Sequence, residues 1–446
     1  MLRTYTQKAA IRAARIQPRH AYHVLAIETS CDDTTLALIN RPDQGPPQLI
    51  THVKRSLDNT KAGGIIPLDA RNFHQQNLAP MVRELFAQYN VVNNTNNNND
   101  NLKIDLICAT RGPGMIGSLS AGYNFAKGLS VALDVPLVGV HHMVGHLLTP
   151  RFFQAPSTIT TTVPDNISPA DIPDYPFFSL LVSGGHTMLV RSASPTDHTV
   201  LANTVDIAIG DMLDKCAREL GLTGNMLGQE LEKFINSPSP PALDDVSAAA
   251  LAAIRFPNPL QNKSGRAADR AAYSFAGFIT ALRTAVANNF PMAAAPAELE
   301  LAPRRALAER LQTAIFKHLV SKTALALRAY FDAHPQPPGT PVDIVCAGGV
   351  ASNLTLRTML EQELRNPPAP RKKKETTSTT STDSPPEFRF HYPAPKWCTD
   401  NALMIGWAGI ELWETARLHT DLTALPTAKW PIEEVLAIDG WLPRAD

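Results

Sequence analysis

The sequence lacks the features that mark secreted, membrane-spanning or strongly charged proteins. Five of its 446 residues are cysteines, with no C-x-x-C pair, at positions 31, 108, 216, 346 and 398. This odd, dispersed set argues against a disulfide framework and indicates a reducing compartment. No apolar run reaches the roughly 18 residues of a transmembrane helix, so no membrane span is expected. Lys+Arg 41 and Asp+Glu 41 cancel, so any contact with nucleic acid must be a local patch.

Acidic residues are missing from the N-terminus. The first is Glu28, and five basic residues precede it: Arg3, Lys8, Arg12, Arg15 and Arg19. Four of these fall at helical spacing opposite a second, more apolar face, and no secretory apolar region follows. Residues 1–22 are therefore predicted to be a presequence directing the chain to the mitochondrial matrix. The alternative is a solvated basic tail.

Three segments lack hydrophobic periodicity and core residues. They are an asparagine tract at 91–101, a Thr/Pro-rich stretch at 151–176 and a Lys/Ser/Thr/Pro stretch at 365–387. Such composition predicts disordered insertions. The basic run Arg371–Lys374 either contacts RNA or is simply solvated.

Between these segments, strand patterns alternate with helix patterns, which predicts an α/β fold. The order then restarts. "AIETSCDDTTLAL" and "LLVSGGHTMLV" each read as strand, small polar turn and strand, with Thr34 or Thr187 after the turn. Backbone N–H groups in such turns can cradle an anion. The duplication favours a two-lobe cleft of the nucleotide-binding type over two ordinary hairpins.

The stretch "GVHHMVGHLLTP" contains an H-x-x-x-H pair, His142 and His146. In a helix this spacing puts both imidazoles on one face. Zinc proteases read H-E-x-x-H, with the glutamate as general base, but Met143 occupies that position here. The pattern leaves a damaged protease, a different metal site and no site as alternatives.

Two later motifs offer further polar groups. In "IVCAGGVASNLTLR", Gly348 and Gly349 would allow close approach of a flat ligand, and Asn353 is suited to cap the following helix. In "CTDNALMIGWAGIELW", Asp400 is either a helix N-cap or a carboxylate directed into the cleft.

In their order, these motifs resemble one family. "LAIETSCDDT", "GPGMIGSLSAG", "VHHMVGHLL", "LLVSGGHT", "GDMLDKCARELGL", "SFAGF", "AGGVASN" and "CTDNALMIG" are similar to the motifs of the TsaD family, the tRNA N6-adenosine threonylcarbamoyltransferases, in its mitochondrial branch. The resemblance implies an actin-like (ASKHA) two-lobe α/β fold with duplicated mixed sheets flanked by helices. One lobe would comprise 23–150 with about 400–446, and the other 177–399.

The resemblance also implies the reaction: threonylcarbamoyl passes from threonylcarbamoyl-adenylate to N6 of adenosine 37 in mitochondrial tRNAs that read ANN codons. It places one divalent metal ion, zinc or iron, on His142, His146 and Asp400. Its implied substrate contacts are Leu181, Val182, Ser183, Gly184, Gly185, Asp214, Gly228, Glu232 and Asn353. Val144, Asn72 and Ile279 depart from the usual family residues.

Transfer to a weakly nucleophilic adenine amine requires positioning, exclusion of water and stabilisation of a developing oxyanion. The N–H groups of Ser183 to Gly185 are candidates for the last role. The neighbouring His186 is either a catalytic proton relay or a structural side chain. The expected partners are the tRNA anticodon loop, a separate adenylate synthase and a second copy of the chain. A metalloprotease and a non-catalytic scaffold or actin-type ATPase are the competing hypotheses.

Overall fold

A computed structural model describes residues 20–60, 64–91, 101–152, 173–238, 242–260, 270–337, 339–366 and 386–444. Residues 1–19 and most of the three predicted insertions lie outside the described residues. At their edges the structure differs from the predicted limits. Tyr22 already begins a strand, Arg151 and Phe152 end a helix, and Arg365 ends another. Arg151 belongs to the folded part because its guanidinium binds Glu411 at 2.7 Å.

The first sheet contains five strands. They are β1 Tyr22–Glu28, β2 Asp33–Arg41, β3 Gln48–Ser56, β4 Leu106–Gly112 and β5 Leu137–His141. Their order is β3-β2-β1-β4-β5, with β1–β2 and β2–β3 antiparallel and β1–β4 and β4–β5 parallel. The parallel connections run through helices α1 Pro67–Gln88 and α2 Ile116–Leu133.

Side chains of β1 alternate between two cores. Leu25 and Ile27 belong to the cluster formed with α1 and α2. Val24 and Ala26 face the opposite cluster. Because successive strand residues point to opposite faces, a strand covered on both sides must be apolar throughout. This explains why the start of the chain's first motif reads as a continuous apolar run.

The second sheet repeats this topology. Its strands are β6 Phe177–Val182, β7 Thr187–Ser192, β8 His198–Asn203, β9 Pro341–Ala347 and β10 Glu387–His391. The order is β8-β7-β6-β9-β10, again with an antiparallel half and a parallel half. The prediction of an α/β fold with duplicated mixed sheets flanked by helices is confirmed.

The remaining helices cover the sheets. They are α3 His142–Phe152, α4 Ile209–Glu219, α5 Leu227–Ile235, α6 Asp245–Ala253, α7 Gly277–Asn289, α8 Leu301–Ala333, α9 Leu354–Arg365 and α10 Ala402–Glu411. A small pair of strands, β11 Leu418–Thr420 and β12 Trp441–Pro443, follows. In the part of the chain that the structure describes, no helix has the length and apolarity to cross a membrane.

Helices α3 and α10 lie between the two sheets. Their buried residues share one hydrophobic cluster with Val24 and Val140 of the first sheet and with Leu181 and Val190 of the second. The segment after β11 adds Trp430 to the same cluster. Polar side chains at the ends of α3 and α10 therefore lie where the two halves of the molecule meet.

We predict that His318 on α8 makes the fold sensitive to acid. The imidazole is buried, and its Nε2 accepts the N–H of Ser274 at 3.1 Å. Burial, with a contribution from Lys322, lowers the pKa of His318 to about 4. The unfolded value is higher, so the contribution to stability is complete above about pH 6.5 and is lost as the pH falls towards 4. Between pH 7 and pH 4, the unfolding free energy of wild type should therefore fall by about 3 kcal/mol more than that of His318→Asn.

Urea denaturation at the two pH values measures this difference. The control is His334→Asn, because His334 is exposed at the end of α8. Equal losses of unfolding free energy in His318→Asn and in wild type would contradict the prediction.

Candidate metal and substrate site

The H-x-x-x-H pair opens helix α3 directly after strand β5. The two rings lie one turn apart, with centroids separated by 4.9 Å. Asp400, in the turn before α10, approaches them from the other end of the chain. Its Oδ1 lies 3.1 Å from Nε2 of His146 and 3.5 Å from Nε2 of His142.

These three side chains fit a metal ion. Their ligand atoms all lie within 4.8 Å of one another. Two ligands about 2.1 Å from one ion are roughly 3–3.5 Å apart, which matches the distances to Asp400. Two imidazoles and one carboxylate suit zinc or iron and leave coordination positions free.

Glu28 orients the first imidazole. Its Oε1 accepts the N–H of Ser30 at 2.6 Å, and its Oε2 accepts the hydroxyl of Thr110 and lies 3.4 Å from Nδ1 of His142. Oγ of Ser30 lies nearer to the same nitrogen, at 3.1 Å. A hydroxyl and a carboxylate behind the far nitrogen together fix the ring and leave Nε2 for a metal. Burial opposes charge on the ring, but Asp400 and Glu28 outweigh it and raise the pKa of His142 to about 9.

The structure decides between the two roles considered for Asp400. The residue that caps α10 is its neighbour Asn401, whose side chain accepts the N–H of Met404 at 2.9 Å. Asp400 is therefore free to face the histidine pair. Burial opposes its ionisation, but His142 and His146 together lower the pKa of Asp400.

A cleft of about 280 Å³ opens beside Asp400. Six of the residues expected to bind substrate line it: Ser183, Gly184, Asp214, Gly228, Glu232 and Asn353. Leu181 and Val182 instead lie fully buried within β6. They pack against core residues and would support the adjoining loop rather than touch a ligand.

The loop after β6 is a tight turn held by two hydrogen bonds between Ser183 and His186. Ser183 N–H donates to the carbonyl of His186 at 2.9 Å, and His186 N–H donates to Oγ of Ser183 at 3.0 Å. The Ser183 N–H is thus already engaged. Among the described residues, the N–H groups of Gly184 and Gly185 have no protein acceptor, so they are the remaining oxyanion candidates. Burial, with His142 and His146, lowers the pKa of His186 to about 4.

Asp214 and Gly228 contact each other directly. The N–H of Gly228, in the first turn of α5, donates to Oδ1 of Asp214 at 2.7 Å. This bond leaves the other carboxylate oxygen for a ligand hydroxyl or amine. Burial raises the pKa of both Asp214 and the nearby Glu232.

Asn353 caps α9 and lines the cleft at the same time. Its Oδ1 accepts the N–H groups of Thr355 and Leu356 at 3.0 and 3.2 Å, and its Nδ2 donates to buried Gln312 at 3.4 Å. The acceptor is fully used by the helix. Asn353 can therefore offer a ligand only its remaining amide hydrogen.

The sequence did not indicate several residues of this cleft. Asp32 and Asp33 line it from the first turn, where an anion-binding backbone was expected. Asn59 bridges the two halves, because its Nδ2 donates to Asp32 at 2.7 Å and its N–H donates to Asn225 at 3.1 Å. These contacts join loops that are far apart in the chain, so the sequence does not show them. The one sequence feature that could have indicated Asp32 and Asp33 was an acidic pair after an apolar strand.

Comparisons with known proteins bear on this geometry. The family profile described as TsaD, tRNA N6-adenosine threonylcarbamoyltransferase, matches residues 48–407. This chain belongs to the TsaD family. The mitochondrial tRNA N6-adenosine threonylcarbamoyltransferase of Schizosaccharomyces pombe is 33% identical and covers 94% of this chain and 89% of its own. The tRNA N6-adenosine threonylcarbamoyltransferase of Paracoccus denitrificans is also 33% identical, and the alignment covers 92% of this chain and 94% of that protein.

A solved structure, YeaZ from Pseudomonas aeruginosa, aligns with 29% of this chain and 47% of its own, at 23% identity and a TM-score of 0.21.

Two of the three residues that depart from the family pattern lie at packing positions. Val144 is buried in the cluster between the sheets, and Ile279 packs against the second core. Asn72 lies on α1, where its Oδ1 accepts from Arg71 at 3.0 Å.

We predict that Glu28→Gln weakens metal binding while the fold persists. Glutamine keeps the shape of the side chain but removes the charge that faces His142. Loss of such a partner typically costs 10–100-fold in metal affinity, so a rise of at least about tenfold in the Zn²⁺ dissociation constant is expected. Chelator competition measures it.

The matched control is Glu414→Gln. Glu414 is also buried, but it pairs with Arg41 at 3.0 Å, at the end of β2 remote from Asp33 and the cleft. This variant should lose stability and keep its Zn²⁺ affinity. Equal affinity in Glu28→Gln and wild type would contradict the positioning role.

Proposed function

We propose that this chain transfers the threonylcarbamoyl group from threonylcarbamoyl-adenylate to N6 of adenosine 37 in mitochondrial tRNAs that read ANN codons. The family membership supports the reaction. The observation that carries the proposal for this molecule is the convergence at one cleft of Asp400, Ser183, Gly184, Asp214 and Asn353. They come from both halves of the chain, as expected for a substrate held between them.

The charge of the cleft supports metal dependence. The described lining of the cleft contains no lysine or arginine. It contains five carboxylates: Asp32, Asp33, Asp214, Glu232 and Asp400. An anionic adenylate would be repelled by this surface unless a cation offsets the charge. A divalent ion held by His142, His146 and Asp400 would neutralise phosphate charge and orient the mixed anhydride.

The chain's own residues would perform the remaining steps. The N–H groups of Gly184, which lines the cleft, and of the adjoining Gly185 would stabilise the oxyanion that develops on the carbamoyl oxygen as N6 attacks. His186 ends the same turn, where its N–H donates to Oγ of Ser183, and it is the candidate to accept the proton that the amine loses. Adenosine monophosphate leaves. Adenosine 37 lies in a single-stranded loop, so little base pairing must be broken.

A reconstituted assay tests this function. Purified protein is mixed with tRNA, labelled threonine, bicarbonate, ATP and an adenylate-forming synthase, and label in tRNA is measured. The expected result is label in ANN-decoding tRNAs alone. In parallel incubations without the synthase, cleavage of an added glycoprotein would indicate the protease, and ATP hydrolysis would indicate an actin-type ATPase.

We further propose that the chain acts as a homodimer with only the synthase as an accessory enzyme. A chain of zero net charge has little long-range attraction for RNA, and pairing two copies would extend a local basic patch. Exposed apolar side chains at the starts of α1 and α2 offer a surface: Ile66, Leu68 and Ile116. Light scattering and tRNA binding over a salt series test this. A fully active monomer, or a dimer that needs a third protein, would contradict it.

We propose that the chain works in the mitochondrial matrix. The basic, acid-free composition of residues 1–22 and the mitochondrial relative support this location. Deletion of residues 1–22 should abolish import into isolated mitochondria and leave transfer in vitro intact. Normal import of the shortened chain would contradict a presequence.

A further inference from the structure

His141, the histidine that precedes the pair, ends strand β5 and is almost fully buried. Both of its ring nitrogens are bound to the protein. Nδ1 accepts the N–H of Met143 at 3.1 Å, and Nε2 bonds the carbonyl of Trp430 at 2.9 Å. The imidazole also packs against the Trp430 ring, with centroids 4.7 Å apart.

These two bonds define a single form of the ring. An amide N–H can only donate, so Nδ1 must carry a lone pair, and a carbonyl can only accept, so Nε2 must carry the proton. His141 thus has no free lone pair for a metal. Its contribution to the site must pass through the residues that it holds.

The first turn of a helix has N–H groups without partners inside the helix. Serine, threonine or aspartate usually supplies the acceptor. In α3 the imidazole of His141 takes that place and binds the N–H of Met143, the residue directly after His142. It therefore restrains the first turn of α3, from which His142 projects and which leads directly to His146 one turn later.

The other end of this contact is itself anchored. Trp430 Nε1 donates to the carbonyl of Glu434 at 3.0 Å. The side chain of the adjoining Glu433 accepts the N–H of Val200, in strand β8 of the second sheet, at 2.9 Å. His141 thus connects the metal-bearing helix to a C-terminal segment that is fastened to the opposite half of the molecule.

We propose that His141 is a positioning residue that sets the first turn of α3 for metal binding by His142 and His146. The proposal rests on the metal site of the proposed function. Replacing the cap should weaken metal binding about as much as losing another residue that orients a ligand, roughly tenfold.

Two substitutions separate the two bonds of the ring. The amide oxygen of His141→Asn falls near the position of Nδ1 and can still accept the Met143 N–H. The amide of His141→Gln falls near Nε2, reaches Trp430 and leaves Met143 without a cap. The control is His318→Asn, because Nε2 of this other buried imidazole accepts a backbone N–H in the second core and an asparagine amide does not reach the position of Nε2.

The experiment measures Zn²⁺ affinity by competition with a chromogenic chelator, together with the melting temperature of each metal-free variant. His141→Gln should raise the Zn²⁺ dissociation constant about tenfold, and His141→Asn should stay within about threefold of wild type. His318→Asn should lower the melting temperature and leave Zn²⁺ affinity unchanged.

A reference variant, His142→Ala, distinguishes a failure of the metal assignment from a failure of the positioning role. If it binds Zn²⁺ as wild type does, the metal site is wrong and the role of His141 falls with it. If it loses Zn²⁺ while His141→Gln retains wild-type affinity, the positioning role alone is overturned. The positioning role is also overturned if His141→Asn loses as much Zn²⁺ affinity as His141→Gln, or if His318→Asn loses as much as either.

Discussion

Asp400→Ala is expected to remove most bound metal and most transfer activity while leaving the protein folded. The carboxylate lies 3.1 Å from Nε2 of His146 and 3.5 Å from Nε2 of His142 and completes the three-residue ligand group. Loss of a direct ligand should cost at least about 100-fold in Zn²⁺ affinity, more than loss of an orienting partner. Transfer should fall by about 10²–10³-fold, because metal charge supplies several kcal/mol to such a reaction.

The helix should survive this change, because Asn401 rather than Asp400 caps α10. Bound metal is measured by metal content after dialysis and by the chelator assay, transfer by labelling of tRNA in the reconstituted assay, and the fold by circular dichroism. Asp43→Ala is the control. Asp43 is exposed beyond the end of β2 remote from the cleft and should change none of them. Full metal occupancy in folded Asp400→Ala would refute the ligand assignment.

Gly348→Ala is expected to destabilise the second half of the protein and to displace the loop after β6. Gly348 has φ +96° and ψ 163°, a region open almost only to glycine, which alone costs of order 1–3 kcal/mol for another residue. A Cβ there would also lie 2.4 Å from the carbonyl oxygen of Val182. The total loss should reach about 3 kcal/mol or more.

Because Val182 directly precedes the Ser183 turn, the same clash should reduce transfer as well. The neighbouring Gly349 is a matched control for stability, since a Cβ at that position meets nothing within 4 Å. Denaturant unfolding of both alanine variants measures the contrast. Equal losses of unfolding free energy would show that the Val182 contact does not constrain this turn.

Part of the site followed from local patterns. The spacing of His142 and His146 predicted two imidazoles on one helical face, which the structure shows. The strand-turn-strand repeats predicted two related halves, and the sheets have the same strand order. Periodicity and turn chemistry are local properties, so they can be read without knowing how the chain folds back on itself.

For other residues of the site, the local sequence allowed two structural roles and did not decide between them. An aspartate before a helix serves equally well as a cap or as a free carboxylate, and only the Asn401 bond to Met404 separates the two for Asp400. Likewise, Asn353 was suited to cap a helix, and its contact with Gln312 shows which of its atoms remains for a ligand.

By itself the sequence determined the α/β alternation, the duplication, the order of the family motifs and the side chains available for metal binding. Tertiary structure alone brought Asp400 to His146 across 254 positions of the chain, and Glu28 behind His142 across 114. It also decided that the cleft is lined by carboxylates without a basic residue among the described lining. Such contacts depend on how two sheets and the helices between them pack, and no periodicity along the chain records that arrangement.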